Sequence, residues 1–346
     1  MSNVKKTISV DIILIEVLKK YSSKTKSLTS QLIADKVNQE YDLKVDKKTV
    51  KRHLDKLSKV EDSEYGSIKK VALANGGKFG WYIDKNFSDS EILTMILSLY
   101  AAKNLSLTQT NQLINKLCKF SNDNFKKTIG LDNKNAIVQF KTTENKDFYD
   151  LMEIIMQAIE NKKIITFEYQ KYDINCKLKK ILDENNKTKV YKVFPYKLIV
   201  YNGRYYLHCN YIHDDKQKTE DLRNFRVDRM DKIFILDEPY PFDIKKISTT
   251  DVIEYTSKHV FMYGDDPVSC VVKIKKDNIS EFIDWFGSYF NKGQETDDYY
   301  TVKLSSSYIG MKVWALQHLE VAEVVEPKKL REEIKTSLKK SMNLYK

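Results

Sequence analysis

Cysteine is scarce in this sequence: four, at positions 118, 176, 209 and 270. They lie far apart and form no CxxC, so spacing suggests neither a zinc ribbon nor a disulfide framework. Scattered single thiols fit a reducing, cytoplasmic compartment. Glycine is sparse too. The ten glycines form neither GxGxxG nor GxxxxGK followed by Ser or Thr, so the usual nucleotide cradles are missing. HExxH and GxSxG are also absent. The opening MSNVKKTISVDIILIEVLKK lacks the apolar run and small-residue cleavage site of a signal peptide. The stretch ILTMILSLYAA at 92–102 is too short to cross a bilayer, so no membrane partner is expected. His208, Cys209 and His213 have no acidic anchor and no recognised metal spacing, so no metal is expected. No nucleophile–base pair follows from spacing, so the chain is not read as an enzyme and no cofactor is expected.

Arginine is the other shortage. Only six of the 59 basic residues are arginine, which leaves 53 lysines. Four of the six fall between 204 and 229. The net charge is +11, hydrophobic residues make up 42% and aromatics 12%. That composition supports packed cores, and 346 residues suggest two or three domains.

Apolar residues recur at helical spacing over 8–20. Thr29 is a candidate N-cap for SQLIADKVNQEY, and Asp46 for KKTVKRHLDKLSKV. Two short helices about five residues apart read as a helix-turn-helix. Two alternating runs then flank Asn75-Gly76-Gly77, a hairpin signal that would make a wing. Residues 1–85 are therefore read as a winged helix-turn-helix DNA-binding domain with 18 Lys/Arg against 11 Asp/Glu. Residues 86–146 are read as a helical linker and dimerisation region, in which Leu93, Ile96, Leu97 and Tyr100 make an apolar face suited to packing on the wing or on a second subunit. A helix over 148–162 precedes strand-like IITFEY and further strands broken by Pro195 and Asn202-Gly203, giving a small, curved β-unit at 147–240. Residues 241–346 form a further region, in which 268–346 read βαβαβα, a compact α+β cap. Trp285 and Trp314 sit in helical apolar patterns and are read as core.

Two constellations could bind anions. In the helix after Asp46, Lys47, Lys48, Thr49, Lys51, Arg52 and His53 crowd the first turns. The second helix of a helix-turn-helix enters the major groove N-terminus first, so the lysines would meet phosphates, and Arg52 and His53 base edges. A solvated basic face is the bland alternative. Lys69 and Lys78 on the hairpin would extend the helix into one electrostatic footprint. The second constellation is Arg204, Arg223, Arg226 and Arg229, interleaved with tyrosines that include Tyr169, Tyr196 and Tyr206. Guanidinium groups offer a bidentate fork for phosphate that lysine lacks. Strand alternation would turn Arg226 away from Arg223 and Arg229. The spacing leaves two readings open: an anionic ligand site, or a surface network pairing Arg226 or Arg229 with Asp228 or Asp231.

NGRYYLHC followed by LRNFRVDRM, after IITFEY and KVFPYKLIVY, resembles the WYL domain, with Tyr205-Tyr206-Leu207 in place of Trp-Tyr-Leu. The full arrangement resembles the WYL transcriptional regulators: winged helix-turn-helix, linking helices, WYL domain and C-terminal WCX extension. The resemblance implies a multidomain α+β chain, with an Sm-like small β-barrel at 147–240 and a ferredoxin-like cap at 241–346. It implies an effector pocket at Tyr206, Arg223, Arg226 and Arg229, with Arg204, His208 and Arg331 contributing. It also implies a double-stranded DNA operator, a nucleotide or single-stranded nucleic acid effector, and a homodimer. The expected function is ligand-responsive transcription regulation, as a repressor in preference to an activator. The alternative is a single-strand-binding accessory protein of a phage-defence system.

Overall fold

The computed structural model describes residues 9–60, 66–73, 79–121, 125, 130, 147–212, 222–239 and 252–346. The fold is mixed α+β with three separate sheets among these residues. Contacts divide the chain into two units, 1–141 and 142–346. None of the described helices is long and apolar enough to cross a membrane.

The first unit opens with α1 (Val10–Tyr21), α2 (Ser30–Tyr41) and α3 (Lys47–Leu57). Each begins where a side chain satisfies orphan amides. Ser9 accepts from Asp11 N–H, Thr29 from Leu32 N–H and Asp46 from Thr49 N–H. The turn between α2 and α3 passes through Asp42 at φ 52°. Asn38 then brackets Val45, donating to its carbonyl (2.9 Å) and accepting from its amide (2.7 Å). Strands β1 (Ser67–Ala72) and β2 (Phe79–Asp84) pair antiparallel from Ser67 opposite Asp84 to Ala72 opposite Phe79. Trp81 is buried, and its backbone bridges Leu28 through two hydrogen bonds. Leu14, Leu18, Ile33, Val50 and Leu54 pack with Trp81 into one core. Helices α4 (Asp89–Ala101) and α5 (Leu107–Leu117) follow, each opened by a capping box, at Ser88–Glu91 and Ser106–Gln109. Ile96 and Tyr100 turn inward here, whereas Leu97 is exposed and Leu93 half-buried.

The second unit begins with α6 (Phe148–Glu160). The sheet beside it contains β3 (Lys163–Tyr172), β4 (Leu178–Lys180), β5 (Val190–Tyr201), β6 (Arg204–Tyr211), β7 (Leu222–Arg226) and β8 (Met230–Pro239). Its order is β4-β3-β5-β6-β7, and β8 also pairs with β3. All of these pairings are antiparallel. Register shifts interrupt β3/β8 and, at Pro195–Lys197, β5/β6. Such bulges bend and twist a sheet. Phe167 lies at its aromatic centre, stacked on Tyr191 (5.6 Å) and edge-on to Phe225 (5.2 Å).

Helix α7 (Val252–Lys258) leads to β9 (Pro267–Lys275), α8 (Ile279–Phe286), β10 (Phe290–Glu295), β11 (Tyr299–Ser307), α9 (Tyr308–Gln317), β12 (Ala322–Glu326) and α10 (Lys328–Met342). The four strands run β10-β11-β9-β12, all antiparallel. The expected βαβαβα order misses β10 and carries the preceding helix to 290. The helix ends at Phe286 instead, capped by Gly287 at φ 60°. Strand β10 escapes a periodicity search because it is an edge with no apolar alternation: after Phe290 every residue is exposed. Trp314 is fully buried against Phe282 and Phe286, but Trp285 is only partly buried at the margin of that core.

Candidate functional site: arginines around a buried carboxylate

Strand β7 ends at Arg226, and a single 3-10 turn, Val227–Arg229, joins it to β8. That turn changes which arginines meet. Arg226 grips Asp228 with Nε (3.0 Å) and Nη2 (2.6 Å), and Asp228 is wholly buried. Arg204 approaches the same carboxylate, Nη1 at 3.7 Å, from the start of β6. Arg229 lies over the Tyr172 ring at 5.7 Å. Arg204, Arg226, Asp228 and Arg229 all act electrostatically on Tyr206. Two guanidinium groups thus face one carboxylate and a third, Arg229, lies near Tyr206 with them, an excess of positive charge in a half-buried place. The Nη1 of Arg204 and Nε of Arg229 are buried and make no hydrogen bond. Buried donors without acceptors are costly, and guanidinium N–H groups make their strongest hydrogen bonds to anionic acceptors.

The electrostatics follow burial. Burial, then Arg226, lower the pKa of Arg204 from its ordinary value. Burial also opposes the charge of Arg226, but the Asp228 carboxylate overrides it and the pKa is raised. Burial pushes Tyr169 up to about 12, although its hydroxyl accepts the Arg226 amide (3.0 Å). Burial likewise raises Tyr206.

The other expected pocket residues fall elsewhere. Arg223 is exposed and lies over Tyr211 at 5.0 Å. His208 is buried, and burial lowers its pKa to about 4. Its Nδ1 donates to Asn224 Oδ1 (2.9 Å), while Asn224 Nδ2 donates to the Tyr255 hydroxyl and the Met262 carbonyl. His208 is therefore a neutral structural imidazole. Tyr196 is buried, and burial raises the pKa of its hydroxyl above the ordinary value. Tyr205 packs edge-on against Phe148 at 5.5 Å. Arg331 is paired with Glu323 (2.5 Å), not with Glu326 or Glu332, and lines a cavity of about 440 Å³ beside β12 and α10. The pairing expected of Arg226 with Asp228 exists, but it is buried, and Arg204 joins it while Arg229 does not. Asp228 itself, whose burial organises the cluster, has no periodic signature. His213 lies outside the described residues.

On α3, Lys47, Lys48, Lys51 and Arg52 are exposed and Thr49 is half-buried. His53 is engaged inside the unit: its Nδ1 donates to Asp11 Oδ1 of α1 at 2.5 Å. It therefore holds α1 to α3 and is not free to reach a base. Lys69 is exposed on β1 and paired with Asp84 (3.1 Å). Lys78 and the Asn75-Gly76-Gly77 turn lie outside the described residues. None of the four cysteines is in a disulfide, and the described residues contain no cluster able to hold a metal.

The family model of the WYL domain matches residues 150–235, from α6 through most of β8. The arginine cluster, β3 through β7, most of β8 and the Tyr205-Tyr206-Leu207 triplet all lie within the matched residues. No curated protein matches the chain. Among solved structures, it is similar to proteasome accessory factor B/C (PafBC) of Arthrobacter aurescens, at 14% identity and a TM-score of 0.29, over 94% of this chain. The chain spans 47% of that protein's length. It is also similar to a CRISPR Cas-related protein, at 13% identity and a TM-score of 0.38, over 96% of this chain and 84% of the other. Both likenesses are remote.

Proposed function

We propose that this protein is a sequence-specific DNA-binding transcription regulator whose WYL domain senses an anionic, nucleic-acid-derived ligand. The observation that carries the reading is the arginine cluster: Arg226 and Arg204 on the buried Asp228 and Arg229 beside them, with buried guanidinium N–H groups of Arg204 and Arg229 lacking acceptors. Tyr172, Tyr206 and Tyr169 supply aromatic surface beside the cations, the pairing that nucleobases need. In this reading the WYL domain (147–240) is an Sm-like barrel. Residues 241–346 are a ferredoxin-like WCX cap, supported by the β-α-β-β-α-β order from β9 to β12.

Residues 1–85 are the DNA reader, a winged helix with α3 as recognition helix. Support comes from the exposed Lys47, Lys48, Lys51 and Arg52 on one helix, next to the β1–β2 hairpin. Residues 86–146 provide a homodimer contact, supported by the exposed Leu97 and Leu107. The protein acts without a cofactor and catalyses no reaction. A ligand can move operator affinity only by binding the competent and incompetent states differently.

The test begins with the purified chain and fragmented genomic DNA. One enriched sequence motif at physiological salt is expected, with occupancy changing when a single-stranded oligonucleotide or nucleotide is added. Equal binding to all duplexes would sink the regulator reading. In that event, single-strand binding without duplex selectivity would favour an accessory protein.

A further inference from the structure

The C-terminal sheet has two unlike faces. Cys270, Val272 and Ile274 of β9, Val302 and Leu304 of β11, and Val324 of β12 all turn to one side and are buried under α8 and α9. The opposite side alternates with them. There, Lys273 stands opposite Thr301, Lys275 opposite Tyr299, and Lys303 opposite Val271. None of these six residues is buried, and Lys275 and Lys303 are exposed. Glu323 is the cross-strand neighbour of Lys273, but its carboxylate is occupied by Arg331. Among the described residues, none of the three lysines has an ion-pair partner. The Lys273 ammonium lies over the Tyr299 ring at 4.6 Å.

We infer that this face is a binding platform for single-stranded nucleic acid, separate from the arginine cluster. Three uncompensated cations on a rigid sheet form a field for a polyanion. The remaining side chains decide which one. Ser269, Ser305 and Thr301 offer hydroxyls and Tyr299 an aromatic ring, whereas Val271 is the one aliphatic residue among those in register. An acidic amphipathic peptide needs an apolar groove along its length, whereas among the in-register residues of β9 and β11 this face offers only Val271, and the apolar side chains beside it, Leu319, Ile334 and Leu338, are confined to the recess next to β12. A phosphate backbone needs cations and hydroxyls, and its bases need an aromatic surface. Cavities of about 440 and 420 Å³ border the sheet. One contains Lys273, Tyr299 and Arg331, and the other contains Ser269, Lys303 and Ser305, so the strand would have a recess at each end. The platform shares its ligand class with the arginine-cluster reading but none of its residues.

The experiment uses the full chain and fluorescein-labelled dT12, with anisotropy read across a salt series. The variant Lys273→Gln/Lys275→Gln/Lys303→Gln should weaken binding about tenfold and lower the log–log salt slope by about 2, since each single-strand phosphate contact contributes about 0.7. An Arg204→Gln/Arg229→Gln variant keeps the Arg226–Asp228 pair and tests the other site. Wild-type affinity and slope in the lysine variant overturn the platform and leave the arginine reading standing. Loss in the lysine variant with none in the arginine variant does the reverse. Failure of the wild-type chain to bind dT12, or competition by polyglutamate as effective as by unlabelled dT12, also overturns the platform. If the triple variant melts early, Lys275→Gln and Lys303→Gln taken singly, each lowering the slope by about 0.7, decide the point.

Discussion

The Arg226 guanidinium and the Asp228 carboxylate, two residues apart, meet through two hydrogen bonds of 3.0 and 2.6 Å across the 3-10 turn after β7. The carboxylate has no exposed surface, and Arg204 faces it from β6. One buried anion thus draws arginines from two strands into one place.

Asp228→Ala should be strongly destabilising. It leaves Arg226 half-buried without its counter-charge, a change that typically costs about 3–5 kcal/mol. Urea unfolding of the full chain, followed in the transition of residues 142–346, would measure it. A loss below about 1 kcal/mol would mean that the pair is solvated and dispensable.

Arg52→Ala and His53→Ala should separate on α3. Arg52 is exposed, so its loss should weaken operator binding by about 1–3 kcal/mol if it reads a base, with little change in melting temperature. His53 bonds to Asp11, so His53→Ala should lower the stability of the first unit. Operator titrations and thermal melts of both variants test this. An unchanged operator affinity in Arg52→Ala would remove α3 as the reading helix.

His208 should make the protein acid-sensitive. Its pKa falls from an ordinary 6.5 to about 4 in the fold, because burial disfavours the imidazolium. The native state therefore resists a proton that the unfolded chain accepts. The stability contribution is complete above pH 6.5 and is lost as pH falls from 6.5 towards 4, on the order of 3 kcal/mol. His259, also lowered chiefly by burial, adds to the loss with the same sign. Stability measured from pH 7.5 to 4.5 should fall less steeply in His208→Gln, and an identical slope would refute the assignment.

Gly264→Ala should disturb the arginine-bearing strand from outside. A Cβ at Gly264 would stand 2.6 Å from the Leu222 carbonyl oxygen, a backbone atom of β7. Overpacking of this kind typically costs about 1–3 kcal/mol. Lower stability is expected, with faster amide exchange across 222–226. Wild-type exchange there would show that Gly264 can move aside.

Much of the fold was legible in the sequence. Thr29 and Asp46 cap helices because their short side chains reach the orphan amides of the next turn, a purely local effect. IITFEY forms a strand where expected. What escaped were elements with weak local signals. Strand β10 exists because β11 pairs with it, not because of its own pattern. Arg204 and Arg226 are 22 positions apart, and only the β6–β7 pairing, with Tyr206 opposite Arg226, brings them together.

Sequence alone determined the charge pattern: many lysines, few arginines, and most of the arginines within the span that matches the WYL domain. It also determined the caps, the helix faces and the hydrophobic alternation, since these depend on neighbours within a few residues. Tertiary structure decided the use of each cation. It turned Arg226 and Arg204 onto Asp228, left Arg223 over Tyr211, committed His53 to Asp11 and sealed His208 away from solvent. The physical reason is that a charge acts through distance and burial, and both are set by which strands pair.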